Sequence, residues 1–243
     1  MLQAASMRAD PSRASENDCP AGLGVVIPTL DAAASLTRTL DSLAEGRDLL
    51  AGIVVSDGES TDGTPALAAA RGCRVVSGPR GRGGQLARGA RAAPGDWLLF
   101  LHADTRLAPG WAAAAAHHMR ENEGCAASFR FALDDDGPAA RLLARAVAWR
   151  CCLLALPYGD QGLLIPRGLY EALGGYQSLP LMEDVDLVRR IGRRRLALLP
   201  IAAVTSAARY RRAGYGPRVL RNLACLSLYG LGVPPRLIAR LYG

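Results

Sequence analysis

Short runs of buried-strand character alternate with helix-like segments through the first hundred residues, and this alternation limits the fold more than any other feature of the sequence. Val25-Val26-Ile27-Pro28 reads as a first strand stopped by Pro28, and Ala32 to Ala44 carries Leu36, Leu40 and Leu43 at helical spacing. The unit then repeats. Ile53 to Ser56 is a second strand, Thr64 to Arg71 an Ala-rich helix, Cys73 to Ser77 a third strand, Gln85 to Ala92 a helix and Trp97 to Leu101 a fourth strand. Strands that alternate with helices pair in parallel through right-handed crossovers, so the fold class is α/β.

Beyond the fourth strand the rhythm changes. Trp111 to Asn122 is expected to be a helix, and Ala126 to Leu133 a strand that alternates enough to expose one face. Pro138 to Leu154 reads as a long helix with Leu142, Leu143, Ala146 and Trp149 turned inward. A strand at Leu163 to Ile165, a short helix from Arg167, a turn at Gly174-Gly175 and a helix around Val185 to Ile191 follow, and Pro217 to Tyr242 is amphipathic and rich in Leu and Arg. The longest apolar stretch, Leu196 to Ala208, is too short to cross a bilayer and is interrupted by Pro200, Thr205 and Ser206.

Composition excludes several chemistries. At 243 residues and 50% hydrophobic content the chain buries a large core, and no disordered class fits. All 29 basic residues are arginine, so neither a phosphate-binding loop that needs its lysine nor Schiff-base chemistry is available. Six cysteines without a C-x-x-C pair argue against a zinc cage or a disulfide framework. Met1 to Pro20 mixes charges with Ser and Pro and lacks an apolar core, so it reads as a mobile tail of a cytoplasmic protein, not a signal peptide.

Polar knots follow the strands, where open α/β sheets bind their ligands. Ser56-Asp57-Gly58-Glu59 ends the second strand, and Asp57 there suits a base or ribose, whereas Asp62 and Thr64 equally suit helix capping. Gly78 to Gln85, with Arg80 and Arg82, follows the third strand and opens a helix, an arrangement suited to an anion or to a solvated loop. The fourth strand releases His102-Ala103-Asp104-Thr105, where histidine occupies the place of a phosphatase nucleophile and so excludes that reaction. Asp104, with His102 beside it, suits a hard divalent ion whose remaining ligands are phosphate and water. Glu183-Asp184 opens a helix, where acids serve either the helix dipole or general-base chemistry. Tyr158, Asp160 and Gln161 form a polar loop between a helix and a strand.

In this order the motifs resemble the family 2 glycosyltransferases of the GT-A fold. Val26-Ile27-Pro28-Thr29-Leu30 is similar to their first-strand opening, Ser60-Thr61-Asp62-Gly63-Thr64 to their S-T-D-G-T, Phe100 to Asp104 to their D-x-D region and Glu183-Asp184 to their catalytic E-D pair. Arg80-Gly81-Arg82 with Gln85, Tyr158-Gly159-Asp160-Gln161-Gly162, Pro180 to Asp184 and Thr205-Ser206-Ala207 resemble more closely a bacterial subgroup associated with radical-SAM and selenium-related domains. The Q-x-x-R-W signature of processive synthases is absent.

The resemblance implies a Rossmann-like, mostly parallel sheet flanked by helices, with a C-terminal helical region on the acceptor side. It implies one domain over 21–243, with 21–106 the nucleotide-sugar half and 107–243 the acceptor half. It further implies a donor that is a nucleoside-diphosphate sugar, most often UDP-linked, bound near Pro28, Thr29, Asp31, Asp57, Arg80, Arg82, Gln85, His102, Ala103 and Asp104. Mg2+ or Mn2+ at Asp104 and His102, base catalysis by Asp184 beside Glu183, inversion at the anomeric carbon and a single, non-processive transfer complete the expectation. Tyr158, Asp160 and Gln161 are the expected acceptor contacts. The acceptor is a small molecule or a lipid, no nucleic acid is expected, and the Arg-rich C-terminal part fits a peripheral contact with an anionic membrane face. The competing readings are a basic membrane or nucleic-acid binding protein on an inactive fold, and a nucleotidyltransferase.

Overall fold

A computed structural model describes residues 22–154, 157 and 159–242. The expected N-terminal tail and Tyr158 lie outside the described residues. The chain forms β1 (Leu23–Thr29), α1 (Ala33–Ser42), β2 (Leu50–Asp57), α2 (Thr64–Ala70), β3 (Arg74–Ser77), α3 (Arg82–Ala92) and β4 (Trp97–Phe100). These are followed by β5 (Thr105–Leu107), α4 (Trp111–Glu121), β6 (Ala126–Leu133), α5 (Pro138–Leu154), β7 (Leu163–Pro166), α6 (Arg167–Ala172) and α7 (Glu183–Ile191). The last elements are β8 (Leu196–Thr205), α8 (Ala208–Ala213), α9 (Tyr215–Gly230) and α10 (Pro235–Tyr242).

One eight-stranded sheet runs in the order β3-β2-β1-β4-β7-β6-β8-β5. The first four strands pair in parallel, as the alternation predicts. β7 then runs antiparallel to β4, with Phe100 opposite Leu163 and Trp97 opposite Pro166. β6 pairs antiparallel to β7 and parallel to β8, and the short β5 closes the order antiparallel to β8. Pro28 does not stop β1, which continues to Thr29: β4 has already ended opposite Val26, so no neighbour on that side requires the missing N–H.

Both faces of the central strands are buried. Val25, Ile27, Leu99 and Leu164 pack with Leu36, Leu40, Trp111 and Met119 of α1 and α4 on one face. Val26, Val54, Leu98, Phe100 and Ile165 pack with Leu86, Tyr170, Leu187 and Ile191 of α3, α6 and α7 on the other. A third cluster joins Phe131 and Leu133 of β6 to Ala140, Val147 and Cys151 of α5 and to Ala207.

Two sequence expectations are corrected. The helix α5 is present and Leu143 packs inward as expected, with Ala140, Val147 and Cys151, but Leu142, Ala146 and Trp149 face solvent. Apolar residues lie all round this helix, so spacing alone does not select a face. In β6 only Arg130 is fully exposed, and Ser128 is buried because its hydroxyl donates to the Gly162 carbonyl at 2.8 Å. The apolar stretch Leu196 to Ala208 comprises β8, the two residues after it and the first residue of α8, and no helix among the described residues is long and apolar enough to cross a membrane.

Leu164 is fully buried in the strand where the sheet changes direction. Leu164→Ala is expected to cost about 2–5 kcal/mol. In urea unfolding this appears as a lower midpoint with an unchanged slope.

Candidate active site

The carboxyl ends of β1 and β2 are laced together by side chains. Asp57 is buried, and its carboxylate accepts from the Thr29 hydroxyl at 2.8 Å, the Ser60 N–H at 2.8 Å and the Ser60 hydroxyl at 2.6 Å. Burial alone would raise its pKa, but the Ser60 and Thr29 hydrogen bonds outweigh it and the net shift is downward. Asp31, at φ 47°, accepts from the Thr61 N–H at 2.8 Å, and the Ser60 hydroxyl accepts from the Asp31 N–H at 2.9 Å. Asp62 accepts from the Ala33 and Thr64 amides, but the N-cap of α2 is Gly63 and Thr64 lies inside the helix, so neither Asp62 nor Thr64 is the N-cap residue.

Gln85 is buried in the first turns of α3, and its amide donates to the Thr29 carbonyl at 2.6 Å and the Ser56 carbonyl at 3.0 Å. A Cβ added at Gly58 would meet the Gln85 amide nitrogen at 2.9 Å, so this position accepts no side chain while Gln85 holds its place. Asp57 and Gln85 thus tie together the loops that follow β1 and β2. Thr29 is buried beside them, Pro28 is half-buried, and Asp31 and Arg80 are exposed.

A second group of side chains converges at the end of β4. Because β7 is antiparallel to β4, the turn before β7 that carries Asp160 meets the loop His102-Ala103-Asp104 after β4. Arg82, His102, Asp104, Asp160 and Asp184 line one pocket with Leu181, Met182, Thr205, Ser206, Arg209, Tyr210, Arg218, Asn222 and Cys225. The pocket leaves about 830 Å³ of empty space continuous with solvent. Its floor is pinned by backbone: the Ala103 carbonyl accepts from Thr39 Oγ1 at 2.9 Å, and the Asp104 carbonyl accepts from the Ser206 N–H at 3.1 Å.

Two helix starts meet over the pocket. Arg82 in the first turn of α3 pairs with Glu183 and lies 3.7 Å from Asp184, both in the first turn of α7. Gly83 permits this approach, since a Cβ there would meet the Gln177 carbonyl oxygen at 2.1 Å. Met182, immediately before the two acids, sits at φ 68°, a conformation that costs a bulky residue about 1–3 kcal/mol and recurs at functional sites. Glu183 is 1% exposed and spent on Arg82, whereas Asp184 opens onto the pocket.

The electrostatics follow from this packing. Burial raises the Glu183 pKa, with Arg82 opposing. Burial acts against the Arg82 cation as well, but Glu183 and Asp184 outweigh it and hold the guanidinium charged. His102 is pushed down to about 3 by burial and by Arg82, against the opposing pull of Asp184, so its imidazole is neutral near pH 7. Asp160 is pushed up to about 6, chiefly by burial, with Arg150 opposing, and its Oδ1 is buried without a hydrogen-bond partner among the described residues.

Of the residues singled out in the sequence, Arg82, His102, Asp104, Asp160 and Asp184 come together in this pocket, and Glu183 lies directly behind it. Gln161 does not join them. Its side chain donates to the Phe129 carbonyl at 2.9 Å and lines a separate hollow with Arg130, Arg145 and Cys151. Tyr210, Asn222 and Cys225 were not among the candidates, and Thr205 and Ser206, which belong to a motif singled out in the sequence without an assigned role, also line the pocket.

A parallel sheet that turns antiparallel at its fourth strand, with acids from that strand's end and from a facing helix around one pocket, is the architecture of GT-A glycosyltransferases. Residues 24–166 match the family described as "Glycosyl transferase family 2", and the chain belongs to that family. Among solved structures it is similar to glucosyl-3-phosphoglycerate synthase from Mycobacterium tuberculosis, solved with Mn2+, uridine diphosphate and glucosyl-3-phosphoglycerate. Their identity is 24% and the TM-score 0.57, over 88% of this chain and 81% of the synthase. It is similar also to mannosyltransferase PcManGT from Pyrobaculum calidifontis, solved with GDP-Man and Mn2+, at 20% identity and a TM-score of 0.59, over 84% of this chain and 61% of that one. A third is mannosyl-3-phosphoglycerate synthase from Rubrobacter xylanophilus, at 20% identity and a TM-score of 0.57, over 87% of this chain and 75% of that one. No curated protein matches the chain in sequence. The protein is therefore a glycosyltransferase.

The lowered pKa of Asp57 carries a pH signature. A depressed native pKa stabilises the fold above the unfolded value of about 3.9 and loses that contribution as pH falls through the native value. Asp57→Asn is expected to lower Tm near pH 6 and to flatten the fall of Tm below about pH 4 relative to the parent protein, as followed by circular dichroism.

Proposed function

We propose that this protein moves one sugar from a UDP-linked donor to an acceptor hydroxyl with inversion at the anomeric carbon, and that it belongs with the subgroup associated with radical-SAM and selenium-related domains. The observation that carries the reading is that Asp104, at the end of β4, and Asp184, at the start of α7, line the same pocket. An inverting transfer needs this pair: one acid toward the diphosphate, the other beside the attacking oxygen on the opposite face of the sugar.

Asp184 is the base. It opens onto the pocket while Glu183 is committed to Arg82, so Glu183 acts as a positioning residue that fixes the guanidinium and the helix start. Arg82 supplies a fixed positive charge toward the diphosphate. Asp160 offers an oxygen that has no hydrogen-bond partner among the described residues to a hydroxyl of the acceptor or the sugar. Arg209 and Arg218, which also line the pocket, favour an acceptor that itself carries negative charge.

The donor set fits Mg2+ or Mn2+. No group of three or more His, Cys, Asp or Glu side chains among the described residues is arranged to hold a metal alone. Asp104 and the neutral His102 would supply the protein ligands, and diphosphate oxygens and water the rest, as hard divalent ions prefer. When bound, the ion neutralises charge on the departing diphosphate.

Asp184→Asn is expected to lower turnover by about 10²- to 10⁴-fold while leaving donor binding in place. Near-normal turnover of this variant would remove Asp184 as the base. In a thermal-shift panel of UDP-, GDP-, CDP- and dTDP-sugars with and without Mn2+, the UDP-sugar with Mn2+ is expected to raise Tm, since only a ligand of the native state does so. Asp104→Ala is expected to abolish that metal-dependent rise, and a panel without any shift overturns the donor assignment.

A further inference from the structure

The charge of the chain is divided along its sequence. All 22 acidic residues lie at or before Asp186, whereas 12 of the 29 arginines follow it, so residues 187–243 carry +12 and the preceding residues −5. This acid-free segment includes α8, α9 and α10. Its inner side is already accounted for: Arg218, Asn222 and Cys225, at i, i+4 and i+7 of α9, line the sugar-transfer pocket.

The outer side of α9 is apolar. Leu220, Leu223, Ala224, Ser227 and Leu231 recur at i, i+3, i+4, i+7 and i+11 and are all exposed. The helix α10 buries Ile238 and exposes Arg236, Leu237 and Arg240. The four exposed leucines of this hairpin range from 48% to 82% exposed, which is unusual for residues lying at helical spacing on one surface. The same chemistry recurs on α5, where Leu142, Ala146 and Trp149 are exposed beside Arg141 and Arg145, and that helix also has no acid.

We propose that the outer face of α9 and α10 docks on the surface of an anionic lipid bilayer. Leucines at helical spacing enter the headgroup boundary while flanking arginines meet lipid phosphates, the pattern of helices that lie in a membrane interface. Nucleic acid would meet the same charge but has no use for a row of exposed leucines. An exposed tryptophan between arginines, as on α5, is likewise an interfacial anchor. Because α9 lines the pocket with its inner side, docking sets the pocket about one helix diameter, roughly 10–12 Å, from the bilayer. An acceptor anchored in that surface then reaches the pocket without leaving the membrane.

The test is co-sedimentation of the full chain with vesicles of phosphatidylcholine alone and of phosphatidylcholine mixed with phosphatidylglycerol. Binding is expected to the mixed vesicles, about tenfold or more above the neutral ones. The double variants Leu220→Asp/Leu223→Asp and Arg236→Gln/Arg240→Gln are each expected to reduce it about tenfold with Tm unchanged, because all four side chains are exposed. Equal binding to both vesicles, no binding, or retention of binding by the leucine variant overturns the proposal. So does a self-association that the leucine variant abolishes, which would assign the face to a second copy of the chain. None of these outcomes touches the donor panel, so failure here leaves the sugar-transfer reading standing.

Discussion

The antiparallel pairing of β7 with β4 is the constraint on which the site depends. A parallel sheet brings only the carboxyl ends of its strands to one edge. Reversing one strand beside β4 brings an amino-terminal turn to that edge, and Asp160 arrives next to His102 and Asp104 for this reason alone. The fully buried pairs Leu98–Ile165 and Leu99–Leu164 hold the register, and a slip of one residue would turn the buried side chains of β7 to the wrong faces. Arg167, directly after β7, fixes the same junction from the other end, donating to the Gly95, Ala90 and Ala93 carbonyls at 2.7, 3.2 and 2.7 Å.

Across the cleft the decisive contact is electrostatic. Arg82 and Glu183 are 101 residues apart in sequence, and their pairing joins the first turn of α3 to the first turn of α7. Removing one partner of a buried pair leaves the other charge uncompensated, which costs more than the intact pair contributes. Glu183 is the buried member, so the pair serves geometry before stability. With the carboxylate behind it neutralised, Arg82 keeps its charge at the pocket, and the neighbouring Asp184 keeps its oxygens clear of the core. The left-handed Met182 belongs to the same arrangement, because it immediately precedes the helix start from which Glu183 reaches Arg82 and Asp184 lines the pocket.

The parallel half of the fold was legible in the sequence because Val25 to Ile27, Ile53 to Ser56 and Trp97 to Leu101 are continuous apolar runs separated by helical periodicity. The direction of β7 was not, since Leu163-Leu164-Ile165 reads identically either way. The three residues of β5 carry no period at all, and β8 contains Pro200, a residue that usually argues against a strand. The inward face of α5 is not legible because apolar residues lie all round it: the helix packs through Leu143, Val147 and the small Ala140 and Cys151, while Leu142 and Trp149 stay exposed. In the site, Asp104 and Asp184 were legible as acids at element ends. The roles of Asp57 and Gln85 were not, because a carboxylate that accepts three internal hydrogen bonds and one facing a ligand have the same sequence context.

The absence of acids after Asp186 bears on the fold as well as on partners. A segment of twelve arginines cannot neutralise itself, so it must find its carboxylates in the body of the protein. Asp134 and Asp135 supply some of them: Arg211 lies 3.6 and 3.9 Å from the two, Asp134 accepts from the Ala207 N–H, and Asp135 accepts from the Tyr215 hydroxyl at 2.7 Å. These contacts sit at the entrance to α8 and α9, where β6 ends and α5 begins, so the wall of the pocket is fastened at its root. Farther along, Asp186, which pairs with Arg190, also accepts from the Tyr229 hydroxyl at 3.5 Å, and among the described residues no ion pair holds Arg236 or Arg240 of α10. Attraction between the segment and the body is therefore concentrated near the pocket and fades toward the last helix, which leaves Arg236 and Arg240 exposed. The imbalance that fixes the acceptor wall in place is the same one that leaves its far end free to meet negative charge outside the protein.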